Sequence, residues 1–224
     1  MKINIVYYVF LGSDIWEEIV IEQLNLLKST GLYNDSNKIH IVANGNKKEL
    51  IELQSIIKND YPKIQISDFT ENNTFEYIGF KELYSMSKEK DSLILYFHTK
   101  GVTSKKEKTR KILEEYTISN YKEYVNKFKE NKNLDIGCLI PHEEGFAYFN
   151  FFWVRSNYVN EFCYEPKILK NRFYWETWIG NKNCKKINVN KFSPLKITPI
   201  KSNGEYKTTH LEVNKIINNL ENNL

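Results

Sequence analysis

The sequence predicts an α/β domain with a mostly parallel central sheet flanked by helices. Three observations carry that expectation. Short β-rich runs alternate with helix-length amphipathic stretches, as β-α-β crossovers require. The run from Leu93 to Phe97 is apolar throughout, as in a strand buried on both faces. At 224 residues the chain is long enough to bury one sizeable core. Composition agrees: 41% hydrophobic and 14% aromatic residues can fill that core, while 27% charged residues and a mean hydropathy of -0.54 describe a water-facing surface.

Ile3 to Phe10 is a continuous β-rich run ended by Gly12, after which Asp14 and Glu17 have the spacing of a capping box. Trp16, Ile19, Val20, Gln23, Leu24 and Leu27 then recur at helical intervals, and Gly31 stands where a helix C-terminus favours a left-handed residue. Lys38 to Ala43 is the second strand. Asn44-Gly45-Asn46 turns into a helix carrying Leu50, Leu53, Ile56 and Ile57, closed by Tyr61-Pro62. Ile64, Ile66 and Asp68-Phe69 make a shorter strand. Glu71 to Thr74 opens a helix with Phe75, Ile78, Leu83 and Met86. Beyond Phe97 the sequence predicts a Lys-rich segment, a helix up to about Glu130, a strand from Ile136 to Pro141 and an aromatic strand from Gly145 to Val154. From Leu211, the residues Val213, Ile216, Ile217, Leu220 and Leu224 fit a terminal helix that packs on the body or on a second subunit.

Open parallel sheets bind ligands beyond the carboxyl ends of their strands, so function is expected just after Phe10, Ala43 and Phe97. There, His98-Thr99-Lys100-Gly101 offers an imidazole, a hydroxyl, an ammonium and a glycine that permits close backbone approach. This set suits a phosphate group, the alternative being an ordinary solvated strand end. The basic run from Lys105 to Lys111 can attract an acidic acceptor, a lipid pyrophosphate or an anionic membrane surface, or be a solvated helix start. Aromatic blocks from Phe146 to Trp153 and from Arg172 to Trp178 offer flat faces for sugar rings. A carboxylate among them, Glu176, can orient hydroxyls or act as a base. The other reading of those blocks is an aromatic core with an internal Arg172–Glu176 pair.

Other function classes recede. A formal net charge of +4 is mild, and no aromatic residue interleaves the basic run, so nucleic acid is not expected as a partner. His40, His142 and His210 are scattered, which leaves His98 without a sequence-adjacent metal partner. Cys138, Cys163 and Cys184 are odd in number and widely spaced, which fits a reducing cytoplasm rather than a disulfide framework. The first apolar run lacks a cleavage site and is read as a core strand, and no apolar stretch approaches the ~20 residues of a membrane span. Membrane contact is therefore expected to be peripheral at most.

Taken together, Glu22-Gln23-Leu24, Lys28 to Tyr33, Leu95 to Gly101 with its HTKG element, Phe152 to Ser156 with Tyr158, and Arg172 with Glu176, Trp178 and Ile179 resemble a family. It is the group of GT-A-type glycosyltransferase-like proteins of bacterial surface-polysaccharide clusters and large viruses, distantly similar to the rhamnan-synthesis group. The resemblance runs from about Met1 to Ile200. It implies a single GT-A-like (Rossmann-like) domain over 1–224, with a nucleotide-sugar half at 1–104, an acceptor and catalytic half at 105–200, and a terminal helix at 201–224.

On that resemblance, Phe10, Gly12, Asn44, Thr74, His98, Thr99, Lys100 and Gly101 bind the nucleotide-sugar donor. Trp153, Arg155, Arg172 and Trp178 position a glycan or lipid-linked acceptor. Glu176 is the base of an inverting transfer in surface-polysaccharide synthesis, in the cytoplasm or at the inner face of the membrane, with Asp135, Glu143 and Glu144 as substitutes. Where such enzymes carry a D-x-D motif for manganese or magnesium, this sequence reads His98-Thr99-Lys100, and D-x-D occurs nowhere. Metal dependence is thus left open, since Lys100 can neutralise a leaving diphosphate by fixed charge. Two other readings are a non-catalytic glycan- or nucleotide-sugar-binding module and a nucleotidyltransferase, the latter without the expected glycine-rich loop.

Overall fold

Residues 1–101, 107–169, 171, 173–180, 184–186, 188–201 and 206–222 are described by the structure, a computed structural model. The strands are β1 (Lys2–Phe10), β2 (Lys38–Asn44), β3 (Ile64–Thr70), β4 (Ser92–His98), β5 (Ile136–Cys138), β6 (Phe152–Arg155) and β7 (Lys191–Phe192). They form one seven-stranded sheet in the order β3-β2-β1-β4-β6-β5-β7. Pairing is parallel except at β6, which runs antiparallel to both β4 and β5. The α/β, mostly parallel architecture is as the alternation of elements predicts.

Period-two alternation sorts the strand side chains into two layers. Ile5, Tyr7 and Val9 of β1 and Leu93, Leu95 and Phe97 of β4 face one core. Buried residues of α1 (Trp16–Ser29), α2 (Leu32–Asp35), α3 (Lys47–Asp60), α5 (Glu107–Glu114), α6 (Tyr121–Glu130) and α9 (Tyr206–Glu221) cover it. Val6, Tyr8, Ile94 and Tyr96 face the other core, under α4 (Tyr77–Met86), α7 (Ser156–Phe162) and α8 (Phe173–Thr177). Among the described residues no helix is long and apolar enough to cross a membrane.

Three local expectations are corrected. The capping box sits at α3 rather than α1: Asn46 Oδ1 accepts from the Glu49 N–H (3.0 Å) and Glu49 Oε2 from the Asn46 N–H (2.9 Å). Helix α1 instead starts behind Ile15 with no side-chain cap, because Asp14 accepts from the Ser13 hydroxyl and lies outside the helix. The predicted strand to Pro141 ends at Cys138. The aromatic strand is only Phe152–Arg155, since Phe149 (φ 67) and Asn150 (φ 52) turn left-handed and break the pleat before it.

The helix toward Glu130 is interrupted by a π-helical turn, Glu115–Ser119. Such a turn disturbs the regular bonding ladder. The Thr117 carbonyl within it accepts from Trp153 Nε1 (2.9 Å). Terminal helix α9 packs on α5 of the same chain, with Val213 and Ile217 buried; Leu224 lies outside the described residues.

The cysteines are less scattered than their spacing suggests. Cys163 and Cys184 pair across an antiparallel bridge with their sulfurs 2.7 Å apart. Burial pushes the Cys163 thiol well up, which keeps that thiol protonated and slow to react at neutral pH. Diamide is therefore expected to oxidise this pair to an intramolecular disulfide, faster at alkaline pH. Alkylatable thiols, counted by mass spectrometry after unfolding, should fall from three to one. Cys184→Ser should hold the remaining two throughout.

Candidate functional site

The order β3-β2-β1-β4 has a direct consequence for ligand binding. The chain steps from β1 outward to β2 and β3, then returns to lay β4 on the other side of β1. Connections leave β1 and β4 in opposite directions, which opens a crevice beyond their carboxyl ends. Phe10 and His98 end those two strands, with Tyr8 opposite His98 in register.

The strand ends are stitched together. The Phe10 N–H donates to Thr99 Oγ1 (3.0 Å), and the Thr99 N–H to the Tyr8 carbonyl (3.2 Å). Thr99 is consequently buried and spends its hydroxyl on the scaffold. The Lys100 N–H turns back to the His98 carbonyl (2.7 Å), and Gly101 follows with φ +84, a conformation that favours glycine. The Lys100 ammonium lies 4.8 Å from the centre of the Phe149 ring. His98 donates from Nε2 to the Phe149 carbonyl (2.9 Å), with its ring set edge-on to Phe151.

On the β1 side the Phe10 ring lies over Gly12. A Cβ there would come within 2.8 Å of the ring tip, so any larger residue would push the ring aside. Asn44 donates through Nδ2 to the carbonyls of Thr70 (2.9 Å) and Asn72 (2.8 Å), which fixes the loop leaving β3. Thr74 belongs to that loop, and its Oγ1 is buried with no hydrogen-bond partner.

Two residues unremarked in the sequence complete this wall. Glu76, at the start of α4, accepts from the Tyr96 hydroxyl (3.0 Å) and from Asn150 Nδ2 (3.2 and 3.0 Å). Burial, reinforced by the Glu76 charge, holds the Tyr8 and Tyr96 phenols above their usual range, so both remain donors. Asn150 interrupts the apolar run from Ala147 to Trp153, and that polar break was the available sequence signal. Glu76 had none, because its partner Asn150 lies 74 positions away.

The predicted acceptor residues divide. Helix α8, which carries the half-buried Glu176, packs against the Tyr148–Asn150 turn. Trp153 and Trp178 are 0% exposed: the former packs on Tyr124, the latter on Phe80. Their acceptor-contact role is corrected to core packing, because neither ring reaches the surface.

Arg155 is corrected as well. It pairs with Leu93 at the amino end of β4, opposite the crevice, and donates to the carbonyls of Leu134, Phe128 and Asn131. Asp135 lies at that same end, bound by Lys186 (2.8 and 2.6 Å) and by the Asn190 N–H. Arg172, Lys105 and Lys106 lie outside the described residues.

A cleft of about 230 Å³ flanks the crevice on the α1 side, lined by Ile15, Glu18, Ile19, Gly101, Glu107 and Arg110. Among the described residues no three His, Cys, Asp or Glu side chains are grouped to hold a metal ion. What the crevice offers is an ammonium, an imidazole and a left-handed glycine turn on one side, and a carboxylate with buried polar atoms on the other. No protein-family model matches the chain, and no curated protein matches it.

Proposed function

We propose that the chain is a GT-A-type glycosyltransferase that moves a sugar from a nucleotide-sugar donor to a glycan or lipid-linked acceptor in surface-polysaccharide synthesis. The observation that carries this reading is Lys100 and its glycine turn at the mouth of the β1/β4 crevice, where open α/β sheets take ligands. Lys100 would neutralise the donor diphosphate as it leaves, doing by fixed charge what preorganised cations do in such sites. His98, tied to Phe149, would hold the wall of that subsite. Glu176 would take the proton from the acceptor hydroxyl as its oxygen attacks the anomeric carbon, and the nucleoside diphosphate would depart from the opposite face.

The test is thermal-shift binding of UDP, GDP, dTDP and CMP sugars, each with and without manganese, on the parent protein and Lys100→Ala. Ligand at a hundred times its dissociation constant adds ~2.7 kcal/mol of stability, or about 5–10 °C for a chain of this size. One nucleotide class should give that shift, and Lys100→Ala should lose it. No shift with any nucleotide sugar would overturn the donor reading and leave a glycan-binding module.

A further inference from the structure

We propose that Glu76 and Asn150, with Thr74 beside them, form a site that binds paired hydroxyls of a sugar ring. Asn150 is 1% exposed, and while its Nδ2 serves Glu76, its Oδ1 has no donor. Thr74 Oγ1, two positions before Glu76, is likewise buried without a partner. Buried polar atoms are almost always satisfied in folded proteins, so two orphans, one on the side chain that bonds Glu76 and one two residues before Glu76 along the chain, call for an explanation.

The chemistry of the set selects the ligand class. A carboxylate and an amide oxygen are acceptors only, and a threonine hydroxyl both gives and takes. The Tyr96 and Asn150 donors leave part of the Glu76 lone-pair capacity unused, and the side chain is only half-buried. A group that fits must bring several donors and no negative charge. Phosphate is excluded by repulsion, whereas a vicinal diol supplies two hydroxyl donors and no charge.

Backbone geometry supports the assignment. Among the described residues five non-glycine positions have positive φ, and three of them, Phe75, Phe149 and Asn150, adjoin Glu76 or its partner. Such conformations persist where the surroundings impose them, often at ligand sites. The place also fits: Tyr96, which carries Glu76, precedes His98 on the same strand by two residues, or ~7 Å. Which ring binds there, the ribose or the transferred sugar, rests on the nucleotide-sugar reading above; the diol chemistry does not.

The full chain, Glu76→Gln and Thr74→Val are titrated with UDP-glucose, GDP-mannose, UDP, GDP, glucose and ribose. Dissociation constants and the Asn150 side-chain amide resonance are followed. Glu76→Gln is expected to weaken the nucleotide sugar that binds at least tenfold, and Thr74→Val about threefold. A loss shared by the bare nucleotide assigns the ribose, and a loss confined to the nucleotide sugar assigns the transferred sugar. Equal binding by the parent and both variants overturns the proposal while the donor reading stands. If no nucleotide sugar binds the parent, the donor reading falls. The diol site then stands only if glucose or ribose at tens of millimolar shifts the Asn150 amide in the parent and not in Thr74→Val. Should Glu76→Gln fail to fold, Thr74→Val, which keeps side-chain shape, decides alone.

Discussion

Replacing Arg110 with Met is expected to cost about 3–5 kcal/mol of folding stability, the usual penalty for breaking a buried ion pair by deleting one partner. Arg110 is 4% exposed and donates to Glu22 (2.6 Å) and Glu114 (3.0 Å). Glu114 is 3% exposed, and its other donor is Gln23 Nε2 (2.7 Å). Gln23 in turn accepts from the Tyr7 hydroxyl (2.5 Å). Without the guanidinium, the Glu114 charge stays buried beside one neutral amide. At 2–4 °C per kcal/mol the melting temperature should fall by about 6–20 °C. Urea unfolding measures the change directly, and Arg110→Met with Glu114→Gln should recover most of it because no bare charge remains. An unchanged midpoint in the single variant would mean that the pair is solvated. The same network reaches the site, since Gln23 also donates to the His98 carbonyl (3.4 Å). The double variant therefore separates lost stability from a loosened strand exit.

On the proposed glycosyltransferase reading, Glu176→Gln is expected to lower sugar transfer by about 10²–10⁴-fold, the typical contribution of a positioned general base. Donor binding should be unchanged, because Lys100 and the glycine turn lie on β4 and its exit rather than on α8. The measurements are turnover with saturating donor and thermal shift on the same preparation. Wild-type turnover would remove Glu176 from the proton transfer and pass the role to Glu144 or Glu143. Asp135 cannot inherit it, because Lys186 holds it at the far end of the sheet.

How much of this was legible depends on how local each cause is. Helix α3 follows from Asn46, Glu49 and an apolar stripe, all within one turn or two of each other. The failed prediction at Gly145 to Val154 had the opposite cause. Its residues are as β-prone as those of β4, yet Phe149 and Asn150 turn left-handed where Glu76 and His98 meet them across the chain. The aromatic blocks were ambiguous for a related reason: burial is non-directional, so Trp153 and Trp178 read alike as core or as sugar platform until packing covers them.

Legible along the chain were the alternation of strands and helices, the β-rich run of β1, the burial of β4 on both faces, and the HTKG motif at a strand exit. Each of these rests on neighbours a few residues apart, whose periodicity is written directly in the chain. Tertiary packing set the strand order that opens the crevice between β1 and β4. It alone brought Glu76 to Asn150 and Gln23 to Glu114, 91 positions apart, and set Arg155 at the wrong end for the crevice. Those partnerships are chosen by three-dimensional packing and by the need to satisfy buried polar groups, and neither has a period that a linear reading can detect.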